Sequence, residues 1–268
     1  MEPGEGGGQR TTNCPAQFGW DMLPFNLVRL VVDTLLSRPP LHQAHHAVAA
    51  LRRISRHWRA AVDDSLLTYS AQHRGPLLPL HRWPNLRTLN LEHCALGPTS
   101  CEGLAAFARL TSLSLTACGQ PLTLGPAALA SIPHSLRELH LVDVAFDGLP
   151  TLAPLRACTV LQTFTLELAS TRDLSADVAA LACAWPHLRR LAVYRCVRAY
   201  ARHAQQPFDL GQTAGQLTSL QLAGSFTEDE GWAELFPSLC RLKHLDIRGG
   251  CTKEEGAAAV GAWQRWLC

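Results

Sequence analysis

Leu86 to Cys94 reads LRTLNLEHC, and its spacing L-x-x-L-x-L-x-x-C returns, with substitutions, six more times. The later copies are LTSLSLTAC from Leu110, LRELHLVDV from Leu136, LQTFTLELA from Leu161, LRRLAVYRC from Leu188, LTSLQLAGS from Leu217 and LKHLDIRGG from Leu242. Successive copies start 24, 26, 25, 27, 29 and 25 residues apart, so one unit repeats in phase along most of the chain. In an extended strand alternate side chains face opposite ways, which points the second and third apolar residues of each copy inward and their neighbours outward. One such unit buries too few side chains to offset the entropy of ordering its own backbone, so the copies must stack on one another.

This period and spacing are those of leucine-rich repeats, and they fall outside the ankyrin and tetratricopeptide periods. The expected fold is therefore α/β: a leucine-rich-repeat solenoid over residues 86–250, with seven parallel strands on its concave side and short helices on its convex side. The segments CEGLAAFAR from Cys101, PAALASI from Pro126, SADVAALACAW from Ser175 and GWAELFPSLC from Gly231 are the expected convex helices. Pro150 and Pro154 predict an irregular convex segment over Leu149 to Ala157. Residues 251–268, which include KEEGAAAVGAWQRWLC, are expected to form a helical cap over the last repeat.

The composition agrees with one continuous core: 268 residues, 47% hydrophobic and 17% charged. A net charge of +2 gives no global electrostatic case for nucleic acid or a membrane surface. The most apolar early segment, Met22 to Leu36, carries Arg29 and Asp33, and neither a transmembrane helix nor a secretory or transit signal is expected. The expected location is the cytoplasm, the nucleus or both. Ten cysteines contain no CxxC pair. Cys94, Cys118 and Cys196 sit just after strands, while Cys158, Cys183 and Cys240 fall in convex segments, where cysteine packs as a small hydrophobe. Reduced structural thiols are the expectation.

Ahead of the repeats the character changes. Residues 1–20 are glycine-rich and short of aliphatic side chains, so they read as a flexible lead. Leu23, Leu27, Leu30, Val31 and Leu35 then follow helical spacing after Pro24. Beyond Pro39 and Pro40, Val48, Leu51, Ile54, Trp58 and Val62 recur at threes and fours, which gives a second helical segment, whole or divided in two. Residues 68–85, with Pro76, Pro79 and Pro84 among apolar residues, read as an ordered connector that fixes the orientation of the two units.

The segment 21–67 resembles an F-box, the small all-α module by which substrate receptors attach to cullin-RING ubiquitin ligases. The matching features are Leu23-Pro24, then Leu27, Val31 and Leu35, and the run Ile54-Ser55-Arg56-His57-Trp58-Arg59 followed by Asp63-Asp64 and Leu66. The interval from Leu23 to Trp58 is several residues longer than is usual in the family, with the excess placed in Ser37 to His46. An F-box followed by leucine-rich repeats, here with cysteine after the strand as in the cysteine-containing repeat subclass, is an established receptor architecture. The resemblance implies a Skp-type adaptor, and through it a cullin, docked on Leu23, Pro24, Leu27, Val28, Val31, Leu35, Leu51, Ile54 and Trp58. The alternative is a helix pair that only caps the first repeat.

Motifs for bond chemistry are absent from the sequence: no G-x-x-x-x-G-K-[ST] loop, no G-x-S-x-G, no H-E-x-x-H and no dinucleotide-binding glycine fingerprint. His42, His45 and His46 cluster without an acidic or cysteine partner nearby, so neither a metal nor a cofactor is expected. What remains is recognition by the outward strand positions. Those chosen as target-binding are Glu92, Glu138, His140, Glu167, Arg190, Tyr194, Arg195, His244, Asp246 and Arg248. Arginine and tyrosine are enriched at interface hot spots, and Arg190, Tyr194 and Arg195 fall together in the fifth copy. Arg189 to His203 is rich in arginine and contains no acid, yet the near-neutral chain disfavours nucleic acid as partner. The expected function is a non-catalytic substrate-recognition subunit of a Skp-cullin-F-box ubiquitin ligase. The alternative is a protein-binding scaffold with no ligase association.

Overall fold

The computed structural model describes residues 23–36, 44–72, 83–92, 103–117, 122–146, 151–172, 175–196, 210–224 and 236–248. The lead over 1–20 and the cap over 251–268 lie outside the described residues, as do Cys94, Cys118 and His42.

The described residues form three helices and then an α/β body built on one parallel sheet of nine strands. Eight strands follow one another across the sheet: β1 (Thr68–Gln72), β2 (Thr88–Glu92), β3 (Ser112–Thr116), β5 (Glu138–Phe146), β6 (Thr163–Arg172), β7 (Arg190–Cys196), β8 (Ser219–Gly224) and β9 (His244–Arg248). The short β4 (Leu122–Leu124) pairs only with the far end of β5. From β2 to β9 the register joins Thr88 to Ser112, Glu138, Thr163, Arg190, Ser219 and His244 in turn, so each step equals one sequence repeat.

Each copy is fixed by the same two backbone devices. The N–H of the first leucine closes a turn onto the carbonyl three residues earlier, as Leu86 does on Trp83, Leu110 on Phe107, Leu188 on Trp185 and Leu242 on Leu239. The carbonyl just before each strand then accepts two N–H groups from the next copy. Arg87 O, for instance, receives Thr111 and Ser112 at 2.8 and 3.0 Å, and Arg137 O receives Gln162 and Thr163 at 2.8 and 2.9 Å. Donors that a lone repeat would leave unpaired are satisfied by its neighbour, which is why the units stack in a single order.

The inward strand residues make the core. Leu89, Leu113, Leu139, Phe164 and Leu220 are fully buried, and the connecting segments cover them from one side. Phe164 meets the ring of Trp185 edge-on at 4.9 Å, and Trp185 Nε1 donates to Leu155 O in the preceding connection at 3.0 Å. Thr213 Oγ1 donates in the same manner to Ala182 O at 2.6 Å. Among the described residues, Pro126–Ala130 and Ser175–Ala184 are α-helical as expected, and Ala153–Ala157, with its proline, is a 3₁₀ turn. Gly103–Ala106 and Phe236–Ser238 are 3₁₀ turns within segments expected to be helices, and Gly211–Gln216 is a further 3₁₀ turn.

Two strands exceed the expected seven. β1 lies in the stretch read as connector: in LLTYSAQ, Leu66, Tyr69 and Ala71 take the three inward leucine positions and are 1, 3 and 5% exposed. β4 is a second rung beside Val144–Phe146. Between these two parts of β5 the backbone bulges at Asp143, whose φ of 58° is left-handed, a conformation that Asp tolerates better than most residues.

Of the free thiols, Cys158 is buried with Sγ 3.8 Å from Pro133 O, and burial pushes it up to about 11. Cys183 and Cys240 are exposed, against the expectation that they pack inward. Ala182 and Leu239, one residue earlier in each case, occupy the inward positions.

The helices are α1 (Phe25–Leu36), α2 (Ala44–Ile54) and α3 (Arg56–Ser65). Pro24 O accepts from Leu27 and Val28 and so opens α1. Ser55 divides α2 from α3: its backbone is extended, and its hydroxyl accepts from Trp58 N at 3.3 Å as an N-cap. The inner faces, with Val28, Val32, Val48, Trp58 and Val62, continue the core of the sheet. Asp63 ties helices to sheet. It accepts from Trp83 Nε1 at 3.0 Å and pairs with the buried Arg52 at 3.1 Å, while the Trp83 ring lies 4.6 Å from Tyr69 of β1. Removing the carboxylate leaves a buried guanidinium without its counter-charge, so Asp63→Ala is expected to cost about 3 kcal/mol or more in urea melts. A loss below about 1 kcal/mol would mean that Arg52 reaches water in the folded chain.

Candidate functional site

The outward face of the sheet presents rows of side chains in register, and neighbouring strands lie about 4.8 Å apart along each row. At the early end the acids are engaged locally: Asn90 Nδ2 donates to Glu92 Oε1 at 3.0 Å, and Ser112 Oγ donates to Glu138 Oε2 at 2.9 Å. Further along, His140 Nδ1 and Thr165 Oγ1 lie 3.0 Å apart. The Tyr194 hydroxyl donates to Gln221 Oε1, and Gln221 Nε2 meets His244 Nε2 at 3.0 Å. An amide nitrogen only donates, so His244 accepts there with an unprotonated nitrogen.

Between these two pairings an open groove of about 480 Å³ crosses β5 to β9. His140 and Thr165 stand on one side and Gln221 and His244 on the other, with Arg190 and Lys243 at the end near the strand starts. Its floor is Ala192, one methyl group in a row where Thr165 and Gln221 are its neighbours in register. The small side chain creates the hollow.

The structure therefore gathers three of the expected target-binding residues, His140, Arg190 and His244, into one groove. Tyr194, Glu167 and Asp246 lie beside it in register, whereas Glu92 belongs to β2 at the early end and Glu138 flanks His140 without lining the hollow. Arg195 and Arg248 belong to β7 and β9, and their side chains lie outside the described ones. Lys243 and Ala192 were missed as site residues. Lys243 precedes its strand, and Ala192 has no chemistry of its own to mark it.

Burial holds the His140 imidazole below its ordinary value of 6.5, with the Glu138 carboxylate acting in the opposite sense. The fold thus favours the neutral ring, and the unfolded chain takes up the proton more readily. The stability this ring confers is complete above about pH 6.5 and is lost as pH falls below it. The wild type is accordingly expected to lose more stability than His140→Gln between about pH 7 and pH 5, read from paired denaturant melts. Parallel slopes would place the ring in bulk solvent.

A second surface lies on α1. Leu27, Leu30, Val31 and Leu35 are 49, 61, 37 and 46% exposed, and Ile54 is 43% exposed. Leu27, Leu30, Val31 and Leu35 recur at threes and fours and form an exposed apolar arc of α1 that adjoins the buried Val28 and Val32. Of the residues expected to dock an adaptor, Pro24, Leu27, Val31, Leu35 and Ile54 are exposed and Leu23 is partly buried against the core. Val28, Leu51 and Trp58 are 0, 9 and 2% exposed and pack in the core that holds the helices together.

Among the described residues no three His, Cys, Asp or Glu side chains come together as a metal site, and no helix is long and apolar enough to cross a membrane. A scan of protein-family models and a search of curated proteins find no match to the chain.

Proposed function

We propose that this protein is a leucine-rich-repeat receptor with an F-box-like module, the non-catalytic substrate-recognition subunit of a Skp-cullin-F-box ubiquitin ligase. In this reading α1 docks on a Skp-type adaptor, the open sheet face holds a protein target, and other subunits transfer ubiquitin in the cytoplasm or nucleus.

The observation that carries the reading is the width of the apolar arc of α1, of which only part is buried. A helix that merely caps a stack of repeats needs one apolar face, turned to the stack, and a polar face turned to water. Val28 and Val32 supply the first, yet Leu27, Leu30, Val31 and Leu35 carry the apolar arc on beyond the buried part into water. Exposed apolar residues grouped on one helix face mark a protein-binding surface. The scaffold alternative explains the buried side of α1 and leaves its exposed side without a role.

Co-expression of the full chain with a Skp-type adaptor tests the proposal. The expected result is a stable complex on gel filtration that survives physiological salt, as an apolar interface should. A chain that elutes alone while still binding its target would favour the scaffold.

A further inference from the structure

We propose that the corner between α2 and α3 is a basic extension of the docking surface, where Arg53 and Arg56 meet a carboxylate-bearing face of the adaptor and steer it onto α1. The inference rests on the reading of α1 as the adaptor site and adds the chemistry of the partner.

Between Asp33 and Asp63 the sequence holds five arginines and no Asp or Glu. The acids that border this stretch are engaged: Asp33 and Asp64 pair with Arg29, and Asp63 holds the buried Arg52. Arg53, in the last turn of α2, and Arg56 and Arg59, at the start of α3, are exposed. Arg59 Nε donates to Arg52 O at 3.4 Å and so lies back over the end of α2. Among the described residues, no ion pair or side-chain hydrogen bond engages Arg53 or Arg56.

The fold gains nothing from the charge of Arg56. It is the first residue of α3, where the orphan N–H groups make a cation unfavourable, and the first turn has no acid to offset it. Ile54, 43% exposed, stands among these arginines. Phe25 meets the ring of His57 edge-on at 5.3 Å, which joins the corner to the start of the exposed arc of α1. An apolar surface bordered by guanidiniums fits a partner with an apolar centre and an acidic rim. A nucleic-acid strand has little with which to cover Leu27, Leu30 and Val31. In a bilayer Ile54 would stay at headgroup level beside the guanidiniums, whereas a folded partner can seat it in a pocket rimmed by carboxylates. The apolar contacts then set the lifetime of the complex, and the exposed charges set the rate of encounter.

Association and dissociation rates of the full chain with a Skp-type adaptor, measured by surface plasmon resonance over a range of ionic strength, test this. The wild type is expected to associate faster as salt is lowered. Arg53→Gln combined with Arg56→Gln should slow association about tenfold at low salt, flatten the salt dependence and change the dissociation rate by less than about threefold. Arg156→Gln with Arg241→Gln, both exposed in connections between repeats, removes the same charge and should leave association unchanged. Thermal melts of all variants are expected to match the wild type, since none of these arginines belongs to the core. Wild-type association in the Arg53–Arg56 variant, equal slowing by both pairs, or a lowered melt beside the slower association would overturn the proposal. Arginine-dependent binding to phosphatidylserine vesicles or to a DNA duplex, with adaptor association unaffected, would overturn it too. An adaptor complex that ignores the arginines leaves the ligase reading standing and removes this inference alone, whereas no complex at all removes both.

Discussion

Leu139→Ala is expected to lower the unfolding free energy by about 2 to 5 kcal/mol, and His140→Ala, one residue away, by about 1 kcal/mol or less. Leu139 lies in the middle of β5 with no exposed surface, between Leu113 on one strand and Phe164 on the next. Truncating it opens a cavity that three successive repeats line, and the backbone bonds between copies hold those repeats at fixed spacing, so collapse into the hole is limited. His140 points to the open face, where its contact is the Thr165 hydroxyl. Its loss forfeits one partly solvated hydrogen bond. Midpoints in guanidinium, with slopes compared between variants, measure both effects. Equal losses would show that inward and outward positions have been exchanged.

That contrast was legible in the sequence because the spacing L-x-x-L-x-L carries strand alternation directly. All seven copies start two residues before a strand, and the register joins them at the sequence period. β1 escaped for a physical reason. Tyr69 and Ala71 fill their inward positions as well as leucines do, since the first strand also packs against Trp83 and the helices, and the step from Thr68 to Thr88 is shorter than any later one. A further regularity stood in the sequence unread. The residue three before each first leucine, whether Trp83, Phe107, Pro133, Cys158, Trp185, Ala214 or Leu239, is buried and closes the turn into the strand. Its chemistry varies from tryptophan to alanine, so no single letter marks it.

The groove was legible only in part. Alternation places Arg190, His140 and His244 on one face, but a hollow depends on a missing volume, and Ala192 matters only beside Thr165 and Gln221, each more than 25 residues away in the chain. Periodicity alone likewise could not sort the helical residues. It assigned Leu27, Val28 and Val31 to one docking set, and the fold divides them, with Val28 inside and the other two outside.

The division sets the strongest test of the N-terminal surface. Leu27→Asp combined with Val31→Asp is expected to weaken adaptor binding by about a thousandfold or more, close to 4 kcal/mol, because two charges would have to be desolvated against an apolar partner. Both positions face water in the free chain, so the melting curve should move little. Val28→Asp provides the opposite pattern: a carboxylate in the core between α1 and α3 unfolds the helices, and adaptor binding is then lost together with stability. Leu23→Ala is a poorer probe, since Leu23 packs partly against the core and its truncation mixes the two effects. Titration calorimetry of each variant against the adaptor, beside its melt, separates surface from core. Wild-type affinity in the Leu27–Val31 double variant would remove α1 from the interface and leave the helices as a cap, whereas loss of binding with an unchanged melt assigns the exposed side of α1 to partner docking.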